Sequence, residues 1–182
     1  MQEIRSCRLC PLAHGRAQAV PGTGDIQGQW LFVGEGPGAE EDARGEPFVG
    51  QAGRLLDQML WALGLKRGEN VYIANVVKCR PPENRPPAPE EIAACMPYLR
   101  EQIALISPLI IVALGKTAAT ALLGLGSDKP LGQLRQKEHR YVDTPLVVTY
   151  HPAYLLRNPA EKAKSWEDLR LAWRIWRSQG GL

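Results

Sequence analysis

A glycine-rich turn with one acidic side chain is the first stretch of this sequence that could do chemistry. The apolar run 30–33 leads into it, and the turn reads Gly34-Glu35-Gly36-Pro37-Gly38. Glycine lets the main chain approach a ligand closely, and Glu35 is the only functional side chain in the turn. An apolar strand that ends in such a turn is typical of the edge where open α/β sheets bind ligands.

Three roles fit this turn: it could simply end a strand, bind a dinucleotide, or form a pocket for a neutral planar ligand. Gly34, Gly36 and Ala39 satisfy the dinucleotide pattern G-x-G-x-x-A. That pattern requires a helix N-terminus facing a pyrophosphate, with no anions nearby. Acidic residues occupy 40–42, and the sequence 44–47 predicts that any helix begins later. Dinucleotide binding is therefore disfavoured.

Two polar side chains and one aromatic ring are expected close to this turn. Asn75 and His151 each lie at the end of an apolar run, and Phe48 lies in a loop flanked by proline and glycine. Because the carboxyl ends of parallel strands share one edge, we expect Glu35, Asn75 and His151 around one crevice. Asn75 offers the donor and acceptor needed to read a base edge, and Phe48 could stack on the ring. The alternatives are an Asn bonded to nearby backbone, a capping surface histidine and a core phenylalanine.

Four cysteines form a candidate metal site. Cys7 and Cys10 have C-x-x-C spacing, whereas Cys79 and Cys95 lie far away and well apart. Structural zinc usually takes two close pairs, while iron–sulfur clusters take four thiolates and accept scattered spacing. The pattern therefore favours an iron–sulfur cluster, with zinc or ordinary buried thiols as alternatives.

Alternating strands and helices predict how these residues are positioned. Apolar runs predict four strands, at 30–33, 71–77, 108–114 and 146–149, and helical spacing predicts helices at 51–64, 89–106, 116–124 and 159–179. Residues 126–142 are expected to form a loop with short strands. The last helix carries an expected apolar stripe of Trp166, Leu169, Trp173 and Trp176. The fold class is α/β, with a central, mostly parallel four-stranded sheet.

Length and charge add further expectations. A chain of 182 residues suits a single domain over 1–182. The net charge of +3 arises entirely within residues 151–182, so this tail either contacts phosphates or is a solvated helix face. The N-terminal residues lack an apolar signal region, and no run reaches membrane-spanning length, so a cytoplasmic protein without membrane contact is expected.

Taken together, these motifs resemble the iron–sulfur uracil-DNA glycosylases of family 4. The resemblance extends nearly end to end, and it is carried by the turn 34–38, Pro47-Phe48-Val49-Gly50, Asn75, the four cysteines and His151-Pro152-Ala153. It implies a three-layer α/β/α fold and removal of uracil from single- or double-stranded DNA by a monomer. It also implies a [4Fe-4S] cluster on Cys7, Cys10, Cys79 and Cys95.

The resemblance also implies roles in the pocket. Phe48 would stack on a flipped uracil, and Asn75 would pair with its N3–H and O4. His151 would donate to O2 as negative charge develops on the ring, and Glu35 would position water or favour the cationic sugar. The backbone that would line the pocket belongs to Gly34, Gly36, Pro37 and Gly38. The turn has Gly36 where cluster-free uracil enzymes have the water-activating Asp, which leaves Glu35 as the candidate.

Further roles follow for residues around the pocket. Glu41 would help to exclude the thymine methyl group, and Leu155, Leu156 and Arg157 would wedge into the duplex where the base left. The basic tail would hold phosphates. A cluster-bearing relative that crosslinks covalently to uracil-DNA uses an extra basic loop with a histidine. The segment 78–82 contains no histidine, so no covalent crosslink to DNA is expected. Two alternative functions are a non-catalytic, metal-containing nucleic-acid-binding module and a redox-sensing cluster protein.

Overall fold

A six-stranded sheet runs through the computed structural model of the chain, in which residues 1–181 are described. The strand order is β1-β3-β2-β4-β6-β5. The strands are β1 (Thr23–Gly24), β2 (Trp30–Gly34), β3 (Val71–Asn75), β4 (Ile110–Leu114), β5 (Glu138–Tyr141) and β6 (Thr144–Thr149). The helices are α1 (Gln2–Ser6), α2 (Leu12–Gly15), α3 (Ala39–Arg44), α4 (Gln51–Ala62), α5 (Pro89–Ile106), α6 (Lys116–Leu123), α7 (Leu131–Leu134), α8 (Pro152–Arg157) and α9 (Lys162–Ser178), with 3-10 turns at Pro82–Asn84 and Pro159–Glu161.

The four predicted strands form the parallel centre of this sheet. Strands β3, β2, β4 and β6 pair in parallel, whereas β1 and β5 pair antiparallel at the two edges. The predicted fold class is confirmed, but the count of four strands is wrong. The edge strands lack an apolar run that could predict them: β1 has two residues, and β5 alternates between exposed and half-buried positions.

Helices cover both faces of the sheet, which gives three layers. Every residue of β2, β3 and β4 is buried, as expected for parallel strands covered on both sides. On one face the core includes Leu99 and Ile103 of α5. On the other it includes Leu56 of α4 and Leu169 of α9. Among residues 1–181, no helix is both apolar enough and long enough to cross a membrane.

Helix α3 begins directly after the glycine turn, so the prediction of a later helix is wrong. The acidic residues 40–42 lie in its first turn, where the positive end of the helix dipole favours carboxylates. Gly45 ends the helix in the left-handed conformation, with φ of 73°. The Glu41 side chain accepts the Gly38 N–H at this N-terminus, so an anion already occupies the position that a pyrophosphate would need.

The apolar stripe of α9 is only partly as predicted. Leu169 and Trp176 are buried, but Trp166 and Trp173 are 39% and 41% exposed. The inward face carries Asp168 instead, which is 0% exposed. Its carboxylate pairs with Arg135, with Nε to Oδ2 at 2.7 Å, so a buried ion pair holds α9 against the segment before β5.

Candidate functional site

The carboxyl ends of the four parallel strands open into one cavity of about 450 Å³. Glu35 follows β2, Asn75 ends β3, and His151 lies just after β6. All three line this cavity together with Phe48. The structure therefore brings together the side chains that the sequence placed around one crevice.

Asn75 presents an unpaired polar atom in the middle of the site. Asn75 is 2% exposed, and its side-chain Oδ1 has no hydrogen-bond partner among the described residues. A buried acceptor without a partner costs about 1–3 kcal/mol. The amide is therefore poised to gain a donor from whatever enters the cavity.

Gly34 makes this arrangement possible, because it pairs with Asn75 across β2 and β3. A Cβ on Gly34 would lie 2.5 Å from Asn75 Oδ1 and 2.6 Å from Phe48 Cζ. Both distances are far shorter than van der Waals contact. Only glycine lets the aromatic ring and the amide approach the same point of the backbone.

Phe48 adopts an unusual backbone conformation that other residues hold in place. Its φ is +54°, a region that residues with a side chain rarely adopt. The Arg67 guanidinium donates to the carbonyls of Pro47 at 2.8 Å and Phe48 at 2.7 Å. The Phe48 ring stacks with His151, with centroids 5.5 Å apart, and forms one wall of the cavity.

His151 is a neutral imidazole with a defined proton position. Its pKa is lowered from 6.5 to about 4, mainly by burial and also by the charge of Arg157, while Glu41 opposes the change. Its Nδ1 accepts the Ala153 N–H at 3.1 Å, which caps α8. The remaining proton must therefore lie on Nε2, and Nε2–H is the donor that this ring can offer to a ligand.

Glu35 has one side-chain partner, which the sequence analysis missed. The Thr117 hydroxyl, in the first turn of α6, donates to the Glu35 carboxylate. The two residues are 82 positions apart, so only the tertiary fold could reveal the pair. A carboxylate oriented in this way can hold a water molecule or face a developing positive charge.

Glu41 joins the two loops that line the cavity. Its Oε2 accepts the Gly38 N–H at 3.1 Å, and its Oε1 accepts the N–H groups of Val49 and Gly50 at 2.9 and 3.1 Å. The carboxylate therefore fixes the turn 34–38 relative to the Phe48 loop. Glu41 also lines the cavity, and its role against the thymine methyl group stays a prediction.

Helix α8 carries the three residues of the predicted wedge. Leu155 is 1% exposed, whereas Leu156 is 40% exposed, and Arg157 is exposed and lines the cavity. Leu156 and Arg157 are therefore accessible at the surface, and Leu155 is not. Insertion of these residues into a duplex stays a prediction.

The four cysteines line one small second cavity, on another part of the molecule. All four are free of disulfides. Three hydrogen bonds reach their sulfurs: Arg16 Nη1 to Cys79 Sγ at 2.8 Å, Lys78 N to Cys95 Sγ at 3.3 Å and Leu9 N to Cys7 Sγ at 3.5 Å. Burial raises the pKa of Cys95 to about 11 and also raises that of Cys79, which Arg16 opposes.

The arrangement of these thiols bears on which metal group fits. In residues 1–181, no three His, Cys, Asp or Glu side chains are placed to hold a metal ion. Four sulfurs that share a cavity, three of which accept N–H donors, nevertheless match the way proteins surround thiolate-bound clusters. The donor set therefore fits an iron–sulfur group better than a mononuclear ion.

Comparisons with known proteins agree with this geometry. Residues 21–170 match the family model described as the uracil DNA glycosylase superfamily. The chain is 46% identical over 174 residues to a type-4 uracil-DNA glycosylase of Pyrobaculum aerophilum, covering 92% of this chain and 88% of that protein. It is 43% identical over 182 residues to the type-4 enzyme of Thermotoga maritima, covering 98% and 94%. Identity to the type-4 enzyme of Archaeoglobus fulgidus is 42% over 176 residues, covering 93% and 88%.

Proposed function

The chain belongs to the uracil-DNA glycosylase superfamily, and we propose that it is a DNA-repair enzyme that flips uracil out of DNA and hydrolyses its N-glycosidic bond. The product is an abasic site. The observation that carries the proposal is the unpaired Asn75 Oδ1, buried in a cavity beside the neutral His151 and the ring of Phe48.

Asn75 accounts for the choice of base. Uracil presents a donor at N3 and an acceptor at O4, and a single carboxamide can satisfy both. The unpaired Oδ1 would accept N3–H, while the amide nitrogen donates to O4. Cytosine presents the opposite pattern, so its entry would leave the buried amide unpaired at a cost of about 1–3 kcal/mol for each lost bond.

Phe48 and His151 would act on the flipped base itself. Bases stack favourably on aromatic side chains, and the Phe48 ring forms a wall of the cavity. As the glycosidic bond breaks, its electron pair goes to the uracil ring, and negative charge builds on O2. The Nε2–H of neutral His151 would donate to O2 and stabilise this charge, as in an oxyanion hole.

Glu35 is the proposed partner of the attacking water. The carboxylate is held by Thr117 at the rim of the same cavity. It would orient the water toward the sugar carbon that loses the base, accept a proton from it, and favour the cationic character of the sugar. The turn 34–38 supplies the surrounding backbone.

The DNA strand would lie across the rim of the cavity. Exposed Lys116 and Arg157 line the opening and would contact phosphates. Leu155, Leu156 and Arg157 are the proposed wedge, of which Leu156 and Arg157 are exposed. The basic residues of α9 would add phosphate contacts further along the strand.

The proposed cofactor is a [4Fe-4S] cluster held by Cys7, Cys10, Cys79 and Cys95. The shared cavity, the N–H donors to sulfur and the type-4 relatives support it. When bound, the cluster would cross-link three parts of the chain: the N-terminal segment, the loop after β3, and α5. The reaction itself would be carried out by the residues of the first cavity.

The remaining proposals concern the form in which the enzyme acts. One sheet spans the chain, which supports a single glycosylase domain over 1–182. The enzyme is proposed to act as a monomer. We propose the cytoplasm as its compartment, because free thiols persist under reducing conditions.

Base release from a labelled oligonucleotide tests the proposed function. The protein should convert a strand with one uracil into an alkali-labile strand and leave the matched thymine strand intact, whether the strand is single or paired. Asn75→Ala should abolish release while keeping the absorbance of the bound cluster. A protein that binds both strands and releases no base would instead be a non-catalytic binding module, and the proposal would be rejected.

A further inference from the structure

Lys78 is a buried cation between the two cavities. The residue is 1% exposed and is among the largest fully buried side chains of the described chain. Its Nζ donates to the main-chain carbonyl of Asn75 at 2.7 Å and to Gln102 Oε1 at 2.6 Å. Gln102 is itself held, because its Nε2 donates to Pro21 O at 2.8 Å.

The Lys78 ammonium lacks a carboxylate partner. None of the ion pairs in residues 1–181 involves it, although a buried charge is unfavourable unless it is paired. Lys78 lines the small cavity with the four cysteines, and its main-chain N–H donates to Cys95 Sγ. A thiolate-bound centre in that cavity would supply the missing negative charge.

We propose that Lys78 is a positioning residue for uracil recognition, which holds the Asn75 carbonyl from behind while the thiolate centre balances its charge. This inference rests on the proposed function. The carbonyl belongs to the residue whose amide reads the base, so fixing it holds in place the strand end from which that amide projects. The neighbouring bonds from Val76 N to Gly34 O at 2.9 Å and from Val77 N to Glu35 O at 3.1 Å complete the support of this strand end.

Lys78→Met separates positioning from core filling, because methionine is similarly long and unbranched but has no charge and no donor. Lys78→Gln keeps a donor without the charge and serves as the second variant. Lys66→Met is the matched control, since Lys66 is exposed and pairs only with Glu69 at the surface. The holoprotein is used throughout, and iron content is measured for each variant.

Three measurements decide the proposal. The first is hydrogen–deuterium exchange of the segment 71–79, with 110–114 as internal reference. The second is inhibition by free uracil, and the third is affinity for DNA that already contains an abasic site. In Lys78→Met we expect faster exchange in 71–79 alone and about tenfold weaker inhibition by uracil, the loss typical of one hydrogen bond to a charged group. Affinity for abasic DNA should stay within about twofold, and Lys78→Gln should show a smaller loss.

The opposite results would overturn the proposal. Unchanged exchange and uracil inhibition in Lys78→Met would show that the ammonium holds nothing. Equal losses of uracil and abasic-DNA affinity, or failure of both variants to fold, would show a purely structural role. If the wild-type protein released no uracil from DNA, the proposed function would fall, while exchange in 71–79 would still decide whether Lys78 holds the strand end.

Discussion

Removing the imidazole of His151 is the sharpest test of the proposed chemistry. The ring offers a single donor, because Nδ1 already accepts the Ala153 N–H at 3.1 Å. If Nε2–H stabilises the charge on uracil O2, His151→Ala should slow base release by about a hundred- to a thousandfold, the effect typical of losing one oxyanion donor. Uracil binding should weaken much less, since the full charge develops only as the bond breaks.

The same residue makes stability depend on pH with a definite sign. The folded pKa of His151 is about 4 and the ordinary value is 6.5. Between these values the His151 imidazole is protonated in the unfolded chain and neutral in the folded protein. The free energy of unfolding therefore falls as pH decreases from about 6.5 toward 4. The loss attributable to His151 is at most roughly 3 kcal/mol, and it is absent in His151→Ala. Above pH 6.5 this contribution is constant.

Two assays test the effects of His151 on the rate of base release and on stability. Single-turnover release of uracil at neutral pH measures the rate, and denaturant unfolding at about pH 7 and pH 5 measures the stability difference. His139→Gln is the control histidine, because the His139 imidazole contacts Leu134 O and does not line the cavity. His151 is not the oxyanion donor if His151→Ala retains more than about a tenth of the rate. Its burial does not set the pH dependence if wild type and variant lose equal stability on acidification.

Four other changes have defined outcomes. Asn75→Ala should lower uracil release at least about a hundredfold with normal iron content, because the site then lacks its base-reading group; normal release would remove Asn75 from the site. Gly34→Ala places a Cβ 2.5 Å from Asn75 Oδ1, so release should drop by about a hundredfold, and crystal structures should show the amide displaced; unchanged kinetics would contradict the packing argument. Arg135→Met should reduce the free energy of unfolding by about 3–5 kcal/mol because Asp168 stays buried and unpaired, and adding Asp168→Leu should restore most of it; a single variant as stable as wild type would disprove the pair's role. Cys79→Ser should lower bound iron and visible absorbance, and full iron occupancy would exclude Cys79 as a ligand.

The fold was predictable where burial is complete. The runs that became β2, β3, β4 and β6 are apolar because both of their faces are covered, and such runs are visible without a structure. The edges were predictable only coarsely. Short strands were expected within 126–142, where β5 lies, but β1 and the bounds of β5 depend on pairing with β3 and β6 rather than on their own side chains. Helix α3 was missed because the sequence 44–47 indicated a later helix, whereas Gly45 ends a short helix that begins at Ala39.

The sequence predicted which residues line the site, but not which residues hold them in place. Strand ends placed Glu35, Asn75 and His151 around one crevice, because topology alone brings those ends together. The contacts of Thr117 with Glu35 and of Lys78 with Asn75 depend on how separate elements pack. Burial of Leu155 likewise depends on how α8 packs in the fold, which no local pattern encodes.

The pairing of Gly34 with Asn75 has a consequence for how this enzyme can change. Both residues belong to the hydrogen-bonded ladder at the middle of the sheet, where a substitution disturbs neighbours on every side. Leu156, Arg157 and Lys116 lie on short helices at the periphery and are exposed. Base selectivity thus depends on residues of the central sheet. Contacts with different DNA conformations depend on peripheral residues that tolerate substitution. Substitutions can therefore change which DNA conformations the protein accepts more easily than they can change which base it recognises.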